Sequence, residues 1–181
     1  EHALNDQGRK YRAIAPEASM HCEGCTDGST VIHELYPIYL AGHDRPKLHF
    51  ERLTSAYCCG RGRELPDRVR LFVWRQHGKA IAFSLCLVHD GIIYDDYLGL
   101  DYAVAFDLHL YFYTLRDILS WARAKGLRSY RSSPLNYEPK LHLGCDLFPP
   151  ALYEMPTSAP VNPTPPVAIP FVHPDHHGPR P

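Results

Sequence analysis

The sequence predicts an α+β (mixed α/β) domain: a central, mostly antiparallel sheet flanked by helices, with a proline-rich tail behind it. Three observations carry this reading. Residues 69–74, 80–88 and 92–100 are strand-patterned runs in series, with His77-Gly78 and Asp90-Gly91 as the turns between them, the pattern of a meander. The meander is followed by apolar residues at helical spacing, Leu108, Phe112, Leu115, Leu119 and Ala122. From Pro149 onward the composition shifts, with 11 of the 17 prolines in that last stretch, which excludes regular helix or central strand there.

Taken in order, 1–16 is polar and reads as a linker or the end of a missing upstream region. The domain proper spans 17–156, and 157–181 is an extended or disordered tail. A short strand is expected at 18–23. A helix follows at 31–40, with Asp27-Gly28-Ser29-Thr30 before it as N-cap material. Pro46 opens a second helix through 47–53, where Phe50, Leu53 and Tyr57 recur at helical spacing. After the meander, Asp107 caps a helix running to about Lys125, which Gly126 stops behind Arg123 and Lys125. Arg116 and Asp117 fall opposite its apolar stripe. A strand at 127–132 leads into a short helix within 132–146, for which Asn136 is a natural N-cap, and 147–148 with 151–155 form a final strand pair.

Composition excludes several classes. Of 181 residues 45% are hydrophobic and 12% aromatic, a globular balance. A formal charge of -1 offers no basic excess for DNA or other nucleic acid. No apolar run approaches the roughly 20 residues of a membrane span. Glu1 opens a polar stretch with no signal-peptide core, and the missing initiator Met points to a processed chain or a piece of a longer one. The six cysteines lack the dense spacing of a secreted disulfide scaffold, so a reducing cytoplasm is expected. Cys22 and Cys25 have C-x-x-C spacing beside His21. The only partner pair, the adjacent Cys58-Cys59, chelates poorly, so no metal is expected; a zinc-stabilised interaction domain is the weakest alternative.

The segments DDYLGLDY, LHLYFYTLRDILSWARAKGL and NYEPKLHLG, in this order of elements, resemble the GNAT superfamily of acyltransferases. Within it they look like the BioF2-like or Fem-like branch, often labelled peptidoglycan biosynthesis or recognition proteins. The resemblance covers about 18–155. It implies a cytoplasmic enzyme moving an acyl or aminoacyl group to an amine on a small molecule or cell-wall precursor. The donor it implies is acyl-CoA, with aminoacyl-tRNA as the alternative. It also implies that the strands at 92–100 and 127–132 lie side by side and part at one end, leaving a slot for the donor bordered by Tyr137. Many members carry two such halves in one chain.

Acyl transfer needs a base for the amine, an acid for the leaving group and donors for the oxyanion. Strict alternation puts Asp95, Tyr97, Gly99 and Asp101 on one strand face and Ile92, Tyr94, Asp96, Leu98 and Leu100 on the other. A bulge near Gly99 would rotate Asp101 relative to Asp95. Asp101 is the expected base, with His109 as its alternative, and the resemblance makes Tyr137 the acid. Lys140, one helical turn on, suits an anion or the oxyanion. Asp95, Tyr97, Tyr102, Asn136 and Lys140 are the expected substrate-binding residues. The link from Tyr102 to Asp107 lacks the glycines of a phosphate-binding turn, and Asp107 would repel a pyrophosphate. That departure keeps a second class open, a degenerate binding module that has lost its donor.

Overall fold

The computed structural model describes residues 20–45, 51–133 and 137–147. Asn136, the expected tail, most of the expected helix at 47–53 and all but Leu147 of the expected final strand pair lie outside the described residues. The chain divides into two units, Glu1–Leu147 and Phe148–Pro181, and every described residue belongs to the first.

Among the described residues the elements run β1 (Met20–Cys25), α1 (Ile32–His43), α2 (Ser55–Glu64), β2 (Val69–Gln76), β3 (Lys79–His89), β4 (Ile92–Leu100), α3 (Leu110–Ala124), β5 (Ser129–Ser132) and α4 (Tyr137–His142). The strands form one sheet in the order β1-β2-β3-β4-β5, antiparallel except for the parallel pair β4 and β5. The meander follows from its turns. His77 and Gly78 have φ of 50 and 79, and Asp90 and Gly91 have 48 and 69, the paired positive values of the tight turns whose twist matches the strands.

Two bulges break the alternation. Trp74 pairs with Ala82 and Arg75 with Ala80, leaving Ile81 extra in β3; Leu85 pairs with Tyr97 and Cys86 with Asp95, leaving Asp96 extra in β4. The bulge expected near Gly99 therefore sits at Asp96. Because an extra residue shifts the side-chain phase by one, the expected single face of Asp95, Tyr97, Gly99 and Asp101 does not form. Ile93, Leu98 and Leu100 pack with Leu110, Ile118 and Ala122 of α3. Tyr97 packs on the other face with Leu35 and Tyr39 of α1, and Gly99 lies against Phe83 on that same side.

The sheet thus has a core on each face. Trp74, Ile93, Leu110 and Ile118 are the largest buried side chains on the α3 face, while Leu35, Val69 and Val73 are sealed on the α1 face. Each contributes roughly 1.5–3 kcal/mol by leaving water. Asp117, expected to face away from the sheet, instead accepts from the indole N–H of buried Trp74 at 2.8 Å while pairing with Arg116. Trp121 stands edge-on to Phe72 with 5.4 Å between ring centroids.

Two helix boundaries differ from expectation. Thr54 caps α2, its hydroxyl accepting from the Tyr57 N–H at 3.1 Å, so the helix expected through 47–53 lies farther on and takes in the glycine- and arginine-rich run at 59–63. Gly62 is there because any Cβ would collide with the backbone carbonyl of Thr26. In α3 the N-cap is His109, not Asp107, and its φ of 49 is left-handed. The other end matches the reading: Gly126 N–H bonds to the Arg123 carbonyl and Leu127 N–H to the Ala122 carbonyl, a Schellman stop with Gly126 at φ 69.

Candidate active site at the β4–β5 fork

The parallel pairing runs from Ile92 opposite Ser129 to Asp95 opposite Ser132, and there it ends. β5 stops at Ser132 while β4 continues to Leu100, so the strands are adjacent and then part. The bulge at Asp96 is the first residue beyond the last pair. Strand edges left unpaired in this way expose backbone donors and acceptors to anything that enters the gap.

On the α3 face the vertex of the fork is organised by Asp95, which is 6% exposed. One carboxylate oxygen accepts from the Ser84 hydroxyl at 2.5 Å, the other from the Tyr130 phenol at 2.6 Å, and the Cys86 thiol lies 3.8 Å away. β3, β4 and β5 are thereby tied through one anion, as burial of a charge requires. Burial first, then Asp95, pushes the Tyr130 and Tyr111 phenols and the Cys86 thiol up. Lys140 of α4 is 8% exposed and donates to the Ser133 carbonyl at 2.6 Å. Burial lowers its pKa, against the opposing pull of Asp95 and Cys145.

On the α1 and α2 face the bulge turns Asp96 and Tyr97 to the same side. The Tyr97 phenol donates to Glu51 at 3.0 Å, and Arg61 of α2 lies 3.7 Å from Asp96. Arg61 also donates to the Tyr57 hydroxyl at 3.0 Å. Burial raises the Asp96 carboxyl above its ordinary value, Arg61 pulls it back, and Asp95 adds to the rise. Burial and then Glu51 push the Tyr97 phenol up. A carboxylate of raised pKa beside a strand gap, with a second carboxylate within reach of the same tyrosine, is suited to receive and deprotonate an amine.

The expected site residues are divided among these regions. Asp95, expected to bind substrate, is buried with Ser84 and Tyr130 bonded to its oxygens. Tyr97 faces the Asp96 side. Lys140 is at the fork vertex. Asp101 lies beyond the end of β4, six residues past Asp95 and so about 20 Å along an extended strand. It pairs with Lys79 at 2.8 Å and caps the Ala103 N–H at 3.1 Å, and the Lys79 hydrogen bond first, then Ala103, hold its carboxyl below its usual value. His109 opens α3 without capping it through its side chain. Tyr102 has the Arg45 guanidinium 4.0 Å over its ring. Tyr137 opens α4, and its side chain lies outside the description, as Asn136 does altogether. Asp96, Glu51, Arg61, Ser84 and Tyr130 went unassigned in the sequence reading. Asp96 alone left a trace there, as a carboxylate on an otherwise apolar face.

The turn between β4 and α3 bears on the donor. A CoA diphosphate would need free backbone N–H groups there. Instead Val104 and Ala105 donate to Asp101, Leu108 to Val104, His109 to Phe106 and Leu110 to Ala105. Those five amides are engaged, the N–H groups of Phe106 and Asp107 are not among them, and the exposed Asp107 carboxyl is the feature that disfavours an anion there. Among the described residues no three His, Cys, Asp or Glu side chains gather as metal ligands, and no helix is long and apolar enough to cross a membrane. An apolar crevice of about 20 Å³ beside Tyr36, Tyr39 and Phe83 has room for about one water and holds no substrate.

A family model described as the acetyltransferase (GNAT) domain matches residues 4–139. Among solved structures, the chain is similar to an aminoglycoside acetyltransferase from an uncultured soil metagenomic sample, in complex with sisomicin. The TM-score is 0.53 at 12% identity, over 75% of this chain and 95% of that one. A possible acetyltransferase from Clostridium difficile 630 gives 0.51 at 12%, over 77% and 99%. The aminoglycoside N-acetyltransferase AAC(6')-Iy, in complex with the bisubstrate analogue CoA-S-monomethyl-acetylneamine, gives 0.51 at 16%, over 78% and 100%. No curated protein sequence matches the chain. These likenesses concern the fold, mixed α+β with a five-stranded mostly antiparallel sheet; they do not support the finer placement in the BioF2-like or Fem-like branch.

Proposed function

The chain belongs to the GNAT acetyltransferase domain family, and from that premise we propose that it transfers an acyl group to an amine at the β4–β5 fork, with Asp96 as the base. The observation that carries the proposal is the end of β4–β5 pairing at Asp95, directly before the bulge that turns Asp96 toward α2. In the reading, a cationic amine is drawn to Glu51 and Asp96. Asp96 takes its proton, the amine nitrogen bonds to the acyl carbon, and the bond from that carbon to the carrier breaks. Tyr137 gives its phenol proton to the leaving atom and is restored by the second proton, which the acylated nitrogen sheds, and Lys140 stands at the vertex as a positive group for the oxyanion. Asp101, the base expected first from the sequence, suits the role less well, since Lys79 holds it in its charged form and a depressed carboxylate is a weak base.

The acceptor proposed is a polycationic amine of the aminoglycoside kind, which two acidic groups would recognise, with an amine-bearing cell-wall precursor as the alternative. The donor is an acetyl or longer acyl carrier; an aminoacyl-tRNA donor remains the reading of the Fem-like resemblance. Free thiols at all six cysteines suit the cytoplasm as the compartment. The test is mass-spectrometric detection of an acylated polyamine or aminoglycoside, using acetyl-pantetheine and acetyl-CoA as donors. The Asp96→Asn variant should lose about 10²- to 10⁴-fold in turnover, the span of a general base, while Asp101→Asn keeps it within about threefold. Equal losses in both, or none in Asp96→Asn, would refute the assignment.

One observation favours a second reading, a binding module without turnover: the internally bonded turn at 101–110. It predicts thermal stabilisation by amines but by no acyl donor. Any wild-type turnover removes it.

A further inference from the structure

Arg61 and Asp96 make an ion pair that does not close. Their charged atoms stand 3.7 Å apart, too far for a hydrogen bond, and their side chains are 20% and 36% exposed. Every other pairing of an arginine or lysine with a carboxylate among the described residues closes to between 2.6 and 2.8 Å. Arg75 with Glu34 is the clearest contrast, since both of its terminal nitrogens donate to that one carboxylate. What holds Arg61 back is α2 itself. The guanidinium donates to the Tyr57 hydroxyl, one helical turn earlier, at 3.0 Å, and lies 5.5 Å from the centre of the Tyr57 ring. Among the described residues that is its one hydrogen bond, and none reaches the Asp96 carboxylate. A guanidinium carries more N–H donors than one phenol uses, and a carboxylate accepts on both oxygens. Beyond burial, Glu51, Tyr57 and Asp96 each raise the Tyr97 phenol, so these groups gather at one spot. Donors and acceptors of opposite charge therefore stand side by side, unspent on the protein, where β4 leaves β5.

We propose that Arg61 determines the acceptor by binding a carboxylate carried next to the reacting amine, with the amine at Asp96 and the carboxylate at the guanidinium. The inference rests on the reading of Asp96 as the base. It deepens that reading by choosing between its two acceptors, in favour of an amine-bearing precursor with an anionic group beside the amine. The charges decide the choice. A purely cationic amine brings a second cation to a carboxylate that already faces Arg61, and like charges repel at such distances. A carboxylate beside the amine instead gives Arg61 a partner of its own, in the planar geometry that guanidinium groups favour. Tyr57 keeps Arg61 from collapsing onto Asp96, which would cancel both groups.

The experiment is calorimetric titration of the full chain, without donor, with free lysine, lysinamide, cadaverine and sisomicin, probes that share amines and differ in the carboxylate. Wild type should bind lysine about tenfold or more tighter than lysinamide or cadaverine, the scale of a hydrogen bond between charged groups. Arg61→Met, which keeps the reach of the side chain without its charge, should bring these three within about threefold, chiefly by losing lysine. Arg61→Lys should keep part of the preference, as a point charge without the planar geometry does. The wild-type ratios and Arg61→Lys carry the test should Arg61→Met fail to fold. A wild type that binds lysinamide, cadaverine or sisomicin as tightly as lysine would overturn the proposal. So would a preference that survives Arg61→Met, or no binding of lysine at all. No turnover of lysine with acetyl-CoA, with the binding pattern intact, would strike the acyl-transfer reading and leave the recognition of a carboxylate by Arg61 standing.

Discussion

At its Asp95 end β4 is tied to β3 and β5 through one buried carboxylate with a hydroxyl donor on each oxygen. Beyond its Leu100 end the chain enters a turn held by its own backbone, with a salt bridge, Lys79 to Asp101, whose lysine is 74% exposed. The first region spends buried charge on geometry: it fixes where two strands stop pairing. The second has no buried charge and leaves an aromatic ring in water. The difference is that the β4–β5 vertex is fixed by buried long-range hydrogen bonds and the turn after β4 by local, exposed ones.

The sharpest way to break this comparison is Asp95→Ala. It leaves the Ser84 and Tyr130 hydroxyls buried without their acceptor and removes the anion facing Lys140, so about 3–5 kcal/mol of stability should vanish, read as the shift in urea midpoint at constant slope. The same substitution at Asp101 should cost under about 1 kcal/mol. Similar losses at the two positions would erase the distinction between the ends. Tyr130→Phe comes next. It removes one hydrogen bond to a charged group and should cost roughly 1.5–3 kcal/mol, with the loss concentrated in amide-exchange protection of β5 rather than of β2.

How much of this was legible beforehand depends on how local each cause is. The limits of β4 coincide with the expected 92–100 because Asp90-Gly91 and the apolar pattern are local signals. The bulge was misplaced because it depends on which residues of β3 face it, Leu85 and Cys86, and nothing near Gly99 or Asp96 encodes that register. Asp95 read as a substrate-binding residue, and its buried partners, Ser84 and Tyr130, were not legible because they stand 11 and 35 residues away. The expected second helix, drawn through 47–53 with Tyr57 in its stripe, starts later, at Ser55 behind the Thr54 cap, and Gly62 within it answers to the distant Thr26 backbone. The missing glycines at 102–107 are a purely compositional fact, and the turn they form closes largely through its own backbone, from Asp101 to Leu110.

A smaller effect sharpens the assignment of the base. Asp96 is raised by burial and drawn back by Arg61, so replacing that guanidinium should raise it further. In Arg61→Met the acid limb of the pH–rate profile should move upward by about half a unit or more, since a base is active only above its own pKa. Asp101→Asn should leave that limb where it is. A limb that follows Asp101 and ignores Arg61 would return the base to the far end of β4.

The smallest predicted effect concerns that far end directly. Lys79's hydrogen bond, opposed by partial burial and aided by the Ala103 N–H, keeps the Asp101 carboxyl below its ordinary value. A carboxyl depressed in the folded state contributes stability that is present above its unfolded value, about 3.9. That contribution disappears as pH falls through the folded value. Because Lys79 is 74% exposed, solvent screening limits it to about 0.5 kcal/mol. Wild type and Asp101→Asn should therefore differ by that amount in urea titrations near neutrality and converge as pH drops below about 3. The difference at neutral pH should also shrink in molar salt, where exposed pairs are screened. A gap that survives both acid and salt would mean that Asp101 does not act through its charge, and since Asn can still accept from the Ala103 N–H, only Asp101→Ala would then show what the cap contributes.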